Sequence, residues 1–313
     1  MDNSIEQSNL VLNTVGLSKK YKDVYAVKNV NMHIEKGDIY GFVGENGAGK
    51  TTVIRLITGL AAPSEGTFYL FGEEKDKALR NNRVAGIVES VSLNRSMTAL
   101  ENLKYQCYLC GIEKTDEELN EVLGEVGLDV AAIGNKKVRN FSLGMRQRLG
   151  IASVIMQDPE FILLDEPMNG LDPQGFVDIR ETILHLHDQG KTFLISSHLL
   201  SELDKICNKI GFISKGELVE EILVNDLHHN AGARIILTFA DEAKATSAAE
   251  TLGRHAQFAE SECKGNAITV YGNANVNDVM AILVNEHVEI VSINVKETSV
   301  EDYYIEKARK DHE

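Results

Sequence analysis

No uninterrupted apolar run in this sequence of 313 residues approaches the ~20 residues needed to cross a bilayer. Its start, MDNSIEQSNLVLN, carries an acidic residue early and has no basic segment leading into an apolar one, so no signal peptide is expected. The reading is a cytoplasmic protein whose membrane business goes through a separate polypeptide. Positive charge is in short supply: 32 Lys+Arg stand against 47 Asp+Glu, a formal net charge of −15. No Lys/Arg cluster overcomes that repulsion toward a phosphate backbone, so nucleic acid is not an expected partner. Cysteine is sparse as well, and four residues suit a reducing compartment. Cys107 and Cys110 form one C-x-x-C. A structural zinc site needs about four ligands, and neither a second Cys pair nor a His pair stands at metal spacing. Two small apolar side chains on one helix face are expected there instead.

What is present has the order of an α/β protein. Residues 11–30 alternate in short apolar runs, predicting strands of an N-terminal antiparallel sheet. Asp38–Val43 reads as a buried strand entering a glycine-rich loop and then a helix from about Lys50. Thr98 with Glu101, and Thr115 with Glu118, are capping boxes that open amphipathic helices. Short apolar runs return at 161–164 and 192–197, each ahead of a loop and a helix, as in a parallel sheet. These elements predict an α/β core with a helical insertion. Residues 210–224 read as a hairpin turning at Lys215-Gly216. From about Ala233 the pattern becomes βαββαβ, with Thr298 and Glu301 capping a last helix, which suits a small ferredoxin-like α+β domain. The expected boundaries are 10–228 for the first domain, with its helical insertion at about 90–160, and 229–313 for the second.

Gly44-Glu45-Asn46-Gly47-Ala48-Gly49-Lys50-Thr51 matches G-x-x-x-x-G-K-[ST] in full. The glycines let the backbone curl so that successive N–H groups face phosphate oxygens, and the following helix points its positive end at the same place. Lys50 supplies charge for the outer phosphates, and the Thr51 hydroxyl is a candidate Mg²⁺ ligand. A chance glycine-rich turn would not be framed by a strand before it and a helix after it. Guanine is usually read by N-K-x-D, and the pairs at Asn135-Lys136 and Asn208-Lys209 both lack the Asp, so ATP is favoured.

Four apolar residues, Phe161-Ile162-Leu163-Leu164, run into Asp165 and Glu166. The apolar run buries the strand, so Asp165 emerges at its carboxyl end, where open α/β sheets place their ligands. That position suits Mg²⁺ held by Asp165, directly or through water.

With these motifs in order, the chain resembles the ATP-binding subunit of an ABC transporter over roughly residues 10–225. The resemblance implies a P-loop core with ATP contacts from Gly44 through Thr52, and Glu166 as the residue that polarises the attacking water. Tyr21 falls where the family stacks an aromatic ring on adenine. Phe141-Ser142-Leu143-Gly144-Met145 is similar to the signature written L-S-G-G-Q, whose Ser142 and Gly144 would bind the γ-phosphate of a second subunit. Asn169-Gly170-Leu171-Asp172-Pro173 resembles the D-loop region, and His198 matches the switch histidine expected at the γ-phosphate. Taken singly, Tyr21 is an ordinary strand aromatic, Ser142 a helix N-cap and His198 a capping or core histidine.

Glu89 stands where the family carries the Q-loop glutamine, which would put its carboxylate near the metal; a solvated loop acid is the other reading. Glu89, Leu143 and Met145 are together similar to ATPases of the bacitracin- and lantibiotic-type peptide exporters. The resemblance implies a head-to-tail dimer around ATP and Mg²⁺, driving a separate membrane permease from the inner face of the cell membrane. A soluble ABC-type ATPase on a cytoplasmic complex is the rival class. Against it, Lys50 and Phe141 lie too close for long coiled-coil arms, and only one P-loop is present. A non-hydrolysing regulatory subunit is the third reading, against which Lys50, Asp165, Glu166 and His198 are all in place.

Overall fold

The computed structural model describes residues 9–75, 83–90, 92–230, 233–255, 261–270, 275–286, 288–297 and 303. The chain divides into two compact units, Met1–Ile222 and Leu223–Glu313.

In the first unit β1 (Leu10–Tyr21) pairs antiparallel with β2 (Val24–Val30) and with β3 (His33–Glu35). Then β4 (Ile39–Val43), buried at every position, runs into α1 (Lys50–Ile57). The chain returns to β1 through β5 (Glu65–Leu70), which carries the short β6 (Glu73–Glu74). The first sheet has the order β2-β1-β5-β6, with β3 also on β1. Its residues Leu12, Ile34 and Phe68 share one core with Phe42, Ile54 and Phe161. Fully burying an aliphatic or aromatic side chain stabilises by about 1.5–3 kcal/mol, so this shared core fastens the antiparallel layer firmly.

After β7 (Val84–Ile87) come the helices α2 (Ala99–Cys110), α3 (Asp116–Glu125), α4 (Val130–Ile133) and α5 (Leu143–Ile155). Both capping boxes form: each threonine hydroxyl accepts the third residue's N–H while that glutamate accepts the threonine's N–H. The backbone N–H groups of Thr98 and Thr115 are the main reason the Glu101 and Glu118 carboxyls are held below their ordinary range. α2 buries Ala99, Asn102, Leu103 and Cys107, a stripe along one face. The Cys107 thiol packs on Met156, whereas Cys110, the last residue before the left-handed cap Gly111, is exposed. The two cysteines therefore do not share one buried face. Helix α2 ends at Cys110, so the packed stripe stops a turn before it.

The remaining strands complete a parallel sheet. β8 (Phe161–Asp165) and β9 (Thr192–Ser197) are buried along their whole length, with α6 (Pro173–Asp188) between them. The short α7 (Leu200–Leu203) leads to β10 (Lys209–Ser214) and β11 (Glu217–Leu223). The order is β11-β10-β4-β9-β8-β7, and the five strands from β10 to β7 are parallel. Lys215 and Gly216 join β10 to β11 with φ of 48° and 84°, the left-handed pair of a two-residue hairpin turn.

The second unit begins with α8 (Val224–Asn230) and β12 (Ala233–Thr238), followed by α9 (Glu242–Gly253). β13 (Ser261–Lys264), β14 (Ala267–Val270), α10 (Val276–Asn285) and β15 (Ser292–Glu297) complete it. The strands form an antiparallel sheet in the order β13-β14-β12-β15. Its core is its own, built from Ile235, Leu237, Phe239, Leu252, Ile268 and Leu283 among others. The expected cap at Thr298 and Glu301 lies outside the described residues.

Burial pushes the thiols of Cys107 and Cys207 up from their ordinary values, while Cys110 and Cys263 are exposed. A maleimide pulse on the native protein is therefore expected to label Cys110 and Cys263 within minutes and the other two only after unfolding. Peptide mapping checks this, and prompt labelling of Cys207 would contradict the packing.

Candidate functional site

Three neighbouring parallel strands, β4, β9 and β8, end together at their carboxyl edge. Their ends deliver the glycine loop, Ser196 with His198, and Asp165 with Glu166. The loop after β4 is tightly seated. A Cβ on Gly44 would stand 2.3 Å from the Ile213 carbonyl oxygen, so no larger residue fits. Gly49 holds φ at 109°, and the Gly216 N–H at the hairpin tip donates to the Ala48 carbonyl at 3.0 Å. The tip is tied in turn to the first sheet, where the Lys28 N–H donates to the Gly216 carbonyl at 2.8 Å. Helix α1 has neither a side-chain cap nor an acidic residue in its first turn, which leaves its first N–H groups for an anion.

Lys50 is 5% exposed. Its Nζ donates to the carbonyls of Gly44 at 2.6 Å and Glu45 at 3.2 Å, and lies 3.3 Å from Glu166 Oε1. The other Glu166 oxygen, Oε2, is 2.8 Å from His198 Nδ1. Glu166 sits at a φ of 49°, a left-handed conformation unusual for a non-glycine residue.

Asp165 is 6% exposed and joins three elements. Its Oδ2 accepts the Thr51 hydroxyl at 2.9 Å and the Glu89 N–H at 3.3 Å, and its Oδ1 accepts the Ser196 hydroxyl at 2.6 Å. Thr51 and Asp165 therefore present hard oxygens side by side at the mouth of the loop. That donor set fits Mg²⁺, which takes one or two carboxylates and completes its shell with water and phosphate. Among the described residues no group of three His, Cys, Asp or Glu side chains is arranged to hold a metal alone.

Glu89, expected beside the metal, reaches Asp165 only through its peptide N–H. Its carboxylate is 59% exposed and pairs with Arg55 Nη2 at 2.5 Å. The hydrogen bond to Glu89 is the main reason the Arg55 guanidinium is held above its ordinary value, with Tyr21 contributing. Tyr21 is exposed at the end of β1 with the Lys19 ammonium over its ring. Thr52, next on α1, is partly buried. Ser142 is the N-cap of α5, its Oγ accepting the Met145 N–H at 3.1 Å, and a Cβ on Gly144 would approach the start of α6 at Gly175. Neither is tied to the phosphate loop. Sequence reasoning passed over Ser196, one of six buried residues in a strand, and Arg55, whose partner is 34 positions away.

A glycine loop on a helix start, a buried lysine and a threonine–aspartate pair define a P-loop nucleotide-binding core. The family model described as ABC transporter matches residues 27–169. The bacitracin transport ATP-binding protein BcrA of Bacillus licheniformis is 36% identical over 300 residues, 94% of this chain and 96% of that one. The lantibiotic transport ATP-binding protein SrtF of Streptococcus pyogenes is 38% identical over 212 residues, 67% of this chain and 90% of its own. The dimeric ATP-binding cassette MJ0796, solved in a post-hydrolysis state with ADP and Pi, matches at a TM-score of 0.60 and 25% identity. It covers 68% of this chain and 98% of that chain. The chain belongs to the ATP-binding proteins of ABC transporters, as the sequence reading expected.

Replacing Lys50 with Ala removes a buried charge at the loop mouth, and a hydrogen bond to a charged group is worth about 1.5–3 kcal/mol. ATP affinity measured by calorimetry is expected to fall about 10- to 100-fold. Unchanged affinity would remove Lys50 from the phosphates.

Proposed function

We propose that this chain is the ATP-hydrolysing subunit of a peptide-antibiotic exporter, dimerising head to tail around ATP and driving a separate membrane permease. The observation that carries the reading is Glu166, whose carboxylate lies between Lys50 and His198 and beside the Asp165–Thr51 pair. Glu166 takes the proton of the attacking water, and His198 holds that carboxylate in place and meets the γ-phosphate. Lys50 and the N–H groups from Gly44 to Thr52 bind the phosphates, and Tyr21 stacks on the adenine. Bound Mg²⁺ would neutralise charge on the phosphate oxygens; Thr51 and Asp165 would hold it, with Glu89 bordering the site through its backbone N–H. Ser142 and Gly144 of one subunit close on the nucleotide of the other, so ATP favours the closed dimer and hydrolysis releases it.

Export of peptide antibiotics is drawn from the printed names of the bacitracin and lantibiotic relatives. Among the described residues no helix is long and apolar enough to cross a membrane, which supports a separate permease holding the chain at the inner membrane face. We assign 10–228 to the ATP-binding domain and 229–313 to an accessory domain. The sheet order of the accessory domain, with α9 and α10 in the βαββαβ sequence, supports a ferredoxin-like fold.

Glu166→Gln keeps the shape of the side chain and removes the base. Turnover is expected to fall by about 10²-fold or more while ATP binding persists, with the dimer trapped on light scattering. Wild-type turnover in this variant would overturn the assignment. Isolated from detergent-solubilised cells, the full chain is expected to co-purify with an integral membrane protein. Recovery with a cytoplasmic complex instead would favour the rival class.

A further inference from the structure

Ser196 is fully buried in the middle of the catalytic cluster and has no part in the mechanism above. Residue Asp165 of β8 is registered against Ser196 of β9. Neighbouring residues in register on a sheet point to the same face, so the hydroxyl stands next to the carboxylate by construction. Its one proton is committed to Asp165 Oδ1 at 2.6 Å, and one of its lone pairs accepts the Glu166 N–H at 2.9 Å. The same N–H also reaches the Ser196 carbonyl at 3.2 Å. One residue thus holds two consecutive carboxylate-bearing residues by opposite halves of the same hydroxyl.

Each half has a consequence for the site. Anchoring Oδ1 fixes the Asp165 carboxylate about its last torsion, which turns Oδ2 toward Thr51. Accepting the Glu166 N–H fixes the peptide that enters the left-handed conformation at Glu166, where φ is 49°. That conformation is disfavoured for a residue with a side chain, and it aims the Glu166 carboxylate at Lys50 and His198. A valine or alanine would fill the strand position equally well. Neither could donate on one side and accept on the other, as the Ser196 hydroxyl does.

We infer that Ser196 is a positioning residue for metal binding and for the attacking-water base, setting Asp165 and Glu166 through one shared hydroxyl. The inference rests on the ATPase reading above. The test uses the full chain carrying Ser196→Ala or Ser196→Thr, with wild type alongside. Three quantities are read: ATP-induced thermal stabilisation in EDTA, the Mg²⁺ concentration for half-maximal added stabilisation, and kcat with KM for ATP.

Ser196→Ala is expected to leave the stabilisation in EDTA unchanged. Its half-maximal Mg²⁺ concentration should rise about tenfold and its kcat fall about tenfold, the lower end of what loss of a charge-assisted hydrogen bond costs, with KM within about twofold. Ser196→Thr, which keeps the hydroxyl, should return both to within about threefold of wild type. Wild-type Mg²⁺ dependence and kcat in Ser196→Ala would overturn the inference. Equal impairment of both variants would overturn it too, because volume and not the hydroxyl would then matter. If Ser196→Ala loses cooperative unfolding, Ser196→Cys keeps the shape with a much weaker donor and takes its place under the same criteria. A wild-type chain that binds ATP but turns none over would instead defeat the ATPase reading.

Discussion

A buried negative charge constrains everything around it, and here that charge is Asp165. A carboxylate taken out of water is costly unless donors surround it. Asp165 draws its donors from α1 through Thr51, from the segment after β7 through the Glu89 N–H, and from β9 through Ser196. A hydrogen bond to a charged group is worth about 1.5–3 kcal/mol, which exceeds what a typical surface ion pair contributes. The carboxylate therefore fixes the relative positions of three chain segments in the first unit. The glycine loop, Glu166 and His198 are arranged around it.

The local features of the fold were legible because their causes are local. Capping boxes are set by two residues three apart, and both formed at Thr98–Glu101 and Thr115–Glu118. A P-loop is eight consecutive residues, and the apolar run ending in Asp165 needs only its own strand. Strands β5 and β7 went unread because their partners, β1 and β8, lie far along the chain, and β6 because it is only two residues paired to the end of β5. β7 is only four residues long and half-buried at every position, and its hydrogen-bonded partner is β8, distant in sequence. Cys110 was misread because periodicity predicts a face but not where the packed partner ends.

Glu89 shows the same limit at the site. Its position in the sequence pointed at the metal, and its backbone does reach Asp165, but its side chain is neutralised by Arg55. Nothing within a few residues of either partner announces that pair. Ser196 was hidden for the opposite reason, since a serine in an apolar strand is unremarkable until the neighbouring strand's register puts a carboxylate across from it.

The seating of the glycine loop has a consequence for how a polyanion would be received. The Ala48 carbonyl is already engaged by Gly216, those of Gly44 and Glu45 by Lys50, and Gly44 lies flush against β10 at Ile213. The peptide planes are thereby oriented before any ligand arrives. Fixing the backbone of a flexible residue costs about 1–2 kcal/mol of conformational entropy, and a free loop of this length would charge that cost against binding at each residue. In this loop folding has already met it, so attraction between phosphate and amide can go directly into affinity.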